Sequence, residues 1–293
     1  MSFINLHSFL SKQKSIPGKD DLERIIHEYG KLFAPCITPK FSECSLAEDV
    51  KDILHNKFGG IPYCSEAYPH VMCSECGETS YLLCQIDLST VPPDILPPSI
   101  PTRGLLQAFL CCADCGDMGT VRIIPQDTLT HPHVIPSYAL DLLEKESEKK
   151  GAKDDEAESE APPSYELQKG PFKCNRVTSW SDTQYMLPYN NIEDAFTYVY
   201  GKEVEESIRG DLDLLQEMAD AIVPSGDYFG GWSVYIQSTL TECECSTCKS
   251  VVMNVVQIES ECGVEYGFCD CGRAYVTVCP NHLSELEITW DCD

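Results

Sequence analysis

The chain has 293 residues, 18 of them cysteine, and carries 47 acidic against 21 basic side chains for a formal charge of −26. That length can bury a core without metal or disulfide as its only support. The charge excludes a surface built to neutralise phosphates, and with it nucleic acid and anionic membrane faces as partners.

No run nears the roughly 18 apolar residues of a membrane span. The opening stretch MSFINLHSFLSKQKSIPGKDD has no sustained apolar core before a cleavage-like site, so no secretory signal is expected and the location read is cytoplasmic. Thiols stay reduced there, and paired cysteines read as metal ligands ahead of disulfides. The disulfide alternative needs an export route.

In chain order, DDLERIIHEYGKLF sets Leu22, Ile25, Ile26, Tyr29 and Leu32 at helical spacing behind acidic residues suited to a helix start, with Pro35 as the stop. APCITPKF reads as extended, and LAEDVKDILHNKF from Leu46 as a short amphipathic helix. SYLLCQIDL is a near-continuous apolar run typical of a buried strand. The proline-rich VPPDILPPSIPTRG is a connection, and LLQAFLCC the next strand. Between Asp141 and Glu166 ten acidic and four basic side chains replace nearly all apolar ones, so residues 144–170 are predicted to be a disordered acidic linker. FKCNRVTSW then reads as a strand, and EDAFTYVYG and EVEESIRGDLDLLQEMADAI as helices. In the longer helix Val204, Ile208, Leu212, Leu215 and Met218 form the core-facing stripe.

Two stretches repeat one plan. FGGIPY from Phe58 is followed by CSEC at Cys73 to Cys76 and QID at Gln85. FGGWSVYIQ from Phe229 is followed by CSTC at Cys245 to Cys248 and QIE at Gln257, and the step from second cysteine to glutamine is nine in both. Each copy then returns on an apolar run to another ligand pair, AFLCCADC and AYVTVCPNH. The expected organisation is a β-rich α+β protein, internally duplicated, forming one compact domain. It has a helical lead-in over 1–45, a first half over 46–143, the linker over 144–170 and a second half over 171–293.

A tetrahedral zinc ion needs about four converging ligands, which two tight cysteine turns can supply. Cys73, Cys76, Cys112 and Cys115 form the first expected set, and Cys245, Cys248, Cys279 and His282 the second. Cys243, Cys269 and Cys271 crowd the second stretch, and any of them could replace a ligand there. With four protein donors at each site, two closed, structural Zn2+ ions are expected. Gln85 and Gln257, at the ends of apolar strands, read as buried side chains bonding backbone or as partner contacts. His131 and His133, flanking a proline, read as exposed. The adjacent glycines of FGG permit positive φ or close packing and lack the spacing of a phosphate loop. No fingerprint of a hydrolase or nucleotide-binding enzyme is present, so no catalysis is expected. The alternative is a zinc-dependent or thiol-based enzyme using Cys245 and Cys248.

NKFGGIPY followed by CSECG and LLCQIDL resembles the YwqG-like domains. FGGWSVYIQ is similar to that family's second glycine motif, with Ser233 where a proline usually follows the aromatic residue. The duplicated cysteine-pair plan is also similar to the programmed cell death protein 2 family. The first resemblance implies a compact, duplicated β-rich domain without established catalytic residues. The second implies a dedicated chaperone that captures a basic ribosomal protein. The reading is therefore a zinc-stabilised protein-interaction module for a basic partner, chaperone-like or inhibitor-like, whose acidic surface would steer cationic proteins or simply maintain solubility.

Overall fold

The computed structural model describes residues 3–13, 16, 21–113, 119–129, 132–149, 171–240, 243–260, 262–264, 266–268 and 271–292. Cys115, His131 and Cys269 lie outside them, as do residues 150–170 of the expected linker.

Two six-stranded antiparallel sheets form the centre. The first contains β2 (Pro39–Glu43), β3 (Lys57–Phe58), β4 (Ser80–Asp87), β5 (Leu105–Cys111), β6 (Gly119–Ile124) and β7 (Asn175–Trp180), in the order β2-β7-β3-β4-β5-β6. The second contains β1 (Ala34–Ile37), β8 (Gln184–Met186), β9 (Tyr228–Gly230), β10 (Met253–Glu259), β11 (Arg273–Val278) and β12 (Leu286–Asp291), in the order β8-β1-β9-β10-β11-β12. One apolar core draws on both sheets, with Phe58, Leu83, Ile86 and Leu106 from the first and Phe229, Val256, Ile258 and Val276 from the second. β4 and β5 are buried along almost their whole length, which is why their sequences are apolar runs rather than alternations.

The sheets do not follow the division into halves. β1, from the lead-in, sits in the second sheet between β8 and β9, and β7, which follows the linker, sits in the first sheet between β2 and β3. The chain crosses from one sheet to the other at β1–β2 and crosses back at β7–β8.

Helices cover the outer faces. Against the second sheet lie α1 (Phe3–Lys12), α2 (Leu22–Tyr29), α5 (Ile192–Tyr200) and α6 (Arg209–Ile222), which bury Leu6, Leu10, Ile25, Phe196, Leu215 and Met218 with Tyr185 and Tyr275. Against the first lie α3 (Leu46–Lys51) and α4 (Ser137–Lys149), around Ile53, Tyr63, Leu105 and Ile124. A capping box starts α3: the Ser45 side chain accepts from the Glu48 N–H, and Glu48 bonds back to the Ser45 N–H. The stripe expected from Val204 begins later, because α6 starts at Arg209. Val204 and Ile208 precede the helix and still pack on the same core.

Residues 144–149, expected to be disordered, are the last turns of α4. Tyr138, buried Ala139 and Leu143 anchor the helix on the core. Its Glu and Lys residues have good helix propensity, so the helix runs on past its apolar anchor.

Candidate metal centres

The strand registers place two cysteine turns equivalently. Gln85 on β4 lies opposite Gln107 on β5, and Gln257 on β10 lies opposite Tyr275 on β11. Both glutamines are buried and bond backbone. The Tyr63 N–H donates to Gln85 Oε1 (2.8 Å), and the Val234 N–H donates to Gln257 Oε1 (2.9 Å). Ahead of β4, an isolated bridge pairs Met72 with Thr79, and ahead of β10 one pairs Glu244 with Val251. Inside each bridge the chain folds into the same turn. The Cys73 N–H donates to the Glu78 carbonyl (2.8 Å) and the Gly77 N–H to the Cys73 carbonyl (2.9 Å). In the other turn the Cys245 N–H donates to Ser250 (2.9 Å) and the Lys249 N–H to Cys245 (3.0 Å). The turn needs a positive φ after the second cysteine, taken by Gly77 (73°) and, against its side chain's preference, by Lys249 (60°).

At the second turn Cys245, Cys248, Cys279 and His282 each offer a donor atom within 4.8 Å of the others. Cys279 follows the end of β11, and His282 lies in the turn before β12. The closest approaches are Cys279 Sγ to His282 Nδ1 (3.4 Å), Cys245 Sγ to the same nitrogen (3.5 Å) and Cys248 Sγ to Cys279 Sγ (3.5 Å). The electrostatics favour thiolates facing an imidazolium. Hydrogen bonds from the Ser250 hydroxyl and backbone N–H hold the Cys248 thiol down at about 5. Cys245 also lies below its usual value, although burial pushes it up, because the Cys248 and Thr247 N–H groups bond its sulfur. Burial raises Cys279. His282 is raised by its hydrogen bonds with Cys245 and Cys248. A cation seated among these atoms would stabilise the same thiolates that the raised His282 imidazole favours.

At the first turn Cys73, Cys76 and Cys111 converge, also within 4.8 Å, with Cys76 and Cys111 sulfurs 3.6 Å apart. Cys111 stands where Cys112 was expected, and Cys112 instead packs in the core between the sheets. The reason is strand alternation: neighbouring side chains on a strand point to opposite faces, so only one of two adjacent cysteines can face the turn. Cys115, the fourth expected ligand, lies outside the described residues. Cys243 packs beside the helical core, and exposed Cys271 joins no donor cluster among the described residues.

A third group, Cys44, His55 and Cys174, converges within the same limit away from both turns. Sequence reasoning missed it because its members stand singly, without the paired spacing that marks a ligand turn.

Fold and donor sets together define a two-sheet α+β protein with cysteine-rich turns at equivalent strand ends, able to hold metal ions. The chain belongs to the family described as a domain of unknown function (DUF1963), whose model matches residues 56–292. No curated protein matches the chain. Among the described residues no helix is long and apolar enough to cross a membrane.

Proposed function

We propose that the protein is an internally duplicated, zinc-stabilised interaction module that engages a basic protein partner. The observation carrying the structural-zinc part is the second cluster. Three sulfurs and one imidazole already converge there, and four strong protein donors close a tetrahedral site rather than leaving a position for a reacting water. The matching registers and turns support the same role for Cys73, Cys76 and Cys111, with Cys115 as the fourth ligand. They also support descent of the two sheets from one repeated unit, within a zinc-binding variant of the YwqG-like fold.

The partner class rests on charge. A chain with 26 more acidic than basic groups attracts cationic proteins and repels nucleic acid. The resemblance to the programmed cell death protein 2 family supplies the sharpest form, escort of a basic ribosomal protein, and inhibition of a basic protein is the other form. Affinity capture from cells at low salt, followed by salt titration, tests it. A basic partner released steeply between low and moderate salt is expected. Neutral or acidic partners held independently of salt would overturn the electrostatic reading.

A second reading, thiol chemistry, is favoured by one observation: Cys248 is exposed and its thiol is held at about 5. Fast, selective alkylation of Cys248 in zinc-loaded protein would favour that reading over a closed structural site.

A further inference from the structure

Cys44 follows β2 and Cys174 precedes β7. The two strands pair, and the register carries through to a Cys44 N–H bond to the Cys174 carbonyl (3.0 Å). His55 approaches both sulfurs from the segment between α3 and β3. Its side chain is only 8% exposed. Nδ1 contacts the Asp52 carbonyl, which can only accept, and Arg176 Nη2 (3.2 Å), which can only donate, so either tautomer satisfies that nitrogen and the one left over is Nε2. That Nε2 is buried and has no hydrogen-bond partner. A buried histidine with one ring nitrogen held by its neighbours and the other bare, converging with two thiols, has the arrangement of a metal ligand with its supporting bond.

The other sheet shows that the fold does not require this group. Lys57 and Tyr228 hold the same register, opposite Gln85 and Gln257. Lys57 Nζ donates to the Ile61 carbonyl (2.6 Å), and the Tyr228 hydroxyl to the Trp232 carbonyl (2.7 Å). Behind the second glycine of each FGG lies a cysteine, Cys174 beneath Gly60 and Cys36 beneath Gly231. Around Cys36 the space is apolar, filled by Met186, Tyr228 and Val234. Around Cys174 it holds a second thiol, an imidazole whose Nε2 has no hydrogen-bond partner, and Asp49 bonded to Lys57 and to the Ile61 N–H (2.7 Å). Burying so many polar groups is costly unless each is satisfied, and the imidazole's Nε2 is not.

We propose that Cys44, His55 and Cys174 form a third metal site, of the zinc class, that ties the segment between β2 and β3 to the start of β7. Two thiolates and one imidazole are donors that zinc accepts, and the fourth position falls to water or to Asp49, whose Oδ1 is 3.6 Å from His55 Nε2. Charge closes as well. The two thiolates cancel a divalent ion, so the buried Asp49–Lys57 pair stays neutral as a unit. The ligands span the linker, so the ion would fasten the strand that the later part of the chain lends to the first sheet.

The site is independent of the two cysteine turns, and the test keeps them apart. Zinc per chain is counted by native mass spectrometry on wild type, His55→Gln, the Cys44→Ser Cys174→Ser double variant and, as reference, Cys248→Ser. Each of the first two variants is expected to lose one zinc relative to wild type, and the combination with Cys248→Ser to lose a further one. Zinc-loaded wild-type protein treated with N-ethylmaleimide guards against variants that fail to fold. Half-buried Cys44 should stay unmodified while loaded and react after mild chelation that leaves the circular dichroism unchanged. Unchanged zinc in both variants, equal labelling of Cys44 with and without metal, or a Cys44–Cys174 disulfide in freshly purified protein would each overturn the proposal.

Discussion

Cys111 and Cys279 hold the same place in the two sheets: each lies four residues beyond the strand residue that faces a buried glutamine, Gln107 opposite Gln85 and Tyr275 opposite Gln257. Their sulfurs then meet the cysteines of the preceding turn, at 3.6 Å from Cys76 and 3.5 Å from Cys248. Register, rather than the count of cysteines in a motif, selects which cysteine joins the turn.

Adjacent cysteines therefore separate by substitution. Cys111→Ser is expected to remove one zinc per chain and lower the thermal midpoint by roughly 5–10 °C. Cys112→Ser is expected to keep full zinc and cost about 1–2 kcal/mol of stability. Elemental analysis with thermal melts checks both. Equal zinc in the two variants would refute the assignment.

The second cluster carries a pH dependence with a definite sign. The Cys248 thiol in the folded chain is depressed to about 5 from its ordinary value of 9.0, so its favourable contribution is full above that ordinary value, shrinks as pH falls through neutral and is gone below about 5. Protons compete with metal for the same sulfur. Zinc is expected to be retained from pH 8 to pH 6 and released around pH 5, read by a chromogenic chelator. In metal-free protein, alkylation of Cys248 should show a midpoint near the same value.

Gly231 tests the close approach behind the second FGG. It sits at φ 70°, and a Cβ there would run into the Met186 sulfur and lie 3.2 Å from Cys36 Cβ. Gly231→Ala is expected to cost roughly 1–3 kcal/mol for the backbone alone, with added cost from displacing Met186, by denaturant melts.

Gln257→Leu should destabilise for a different reason. It leaves the buried Val234 N–H without its acceptor, while the Tyr228 hydroxyl keeps the Trp232 carbonyl. About 1–3 kcal/mol per stranded group is expected, with zinc content unchanged, because the glutamine holds the strand rather than the metal.

The acidic segment divides at the end of α4. Removing residues 151–165 is expected to leave the melt and the zinc content unchanged, since that composition contributes little to a core. Removing residues 144–149 as well takes the end of α4, including the Glu146 carboxylate that accepts from the Ala47 N–H (3.3 Å), and should lower the midpoint. Thermal melts of the two deletions separate these outcomes.

The sequence by itself determined the strands, through apolar runs such as SYLLCQIDL, and α2, through the spacing of Leu22, Ile25, Ile26 and Tyr29. It also named Cys245, Cys248, Cys279 and His282, which the structure draws together. These are local signals, because periodicity and C-x-x-C turns are written over a few consecutive residues. β6, β12 and α1 went unread, since β6 and β12 are only half-buried and their patterns are weak. Only the tertiary structure decided that Cys111 rather than Cys112 faces the first turn, because a strand's alternation has no absolute phase until its partner sets the register. It alone also decided that β1 and β7 exchange sheets and that Cys44, His55 and Cys174 meet. Those relationships join residues that stand far apart in the chain, and no local pattern records them.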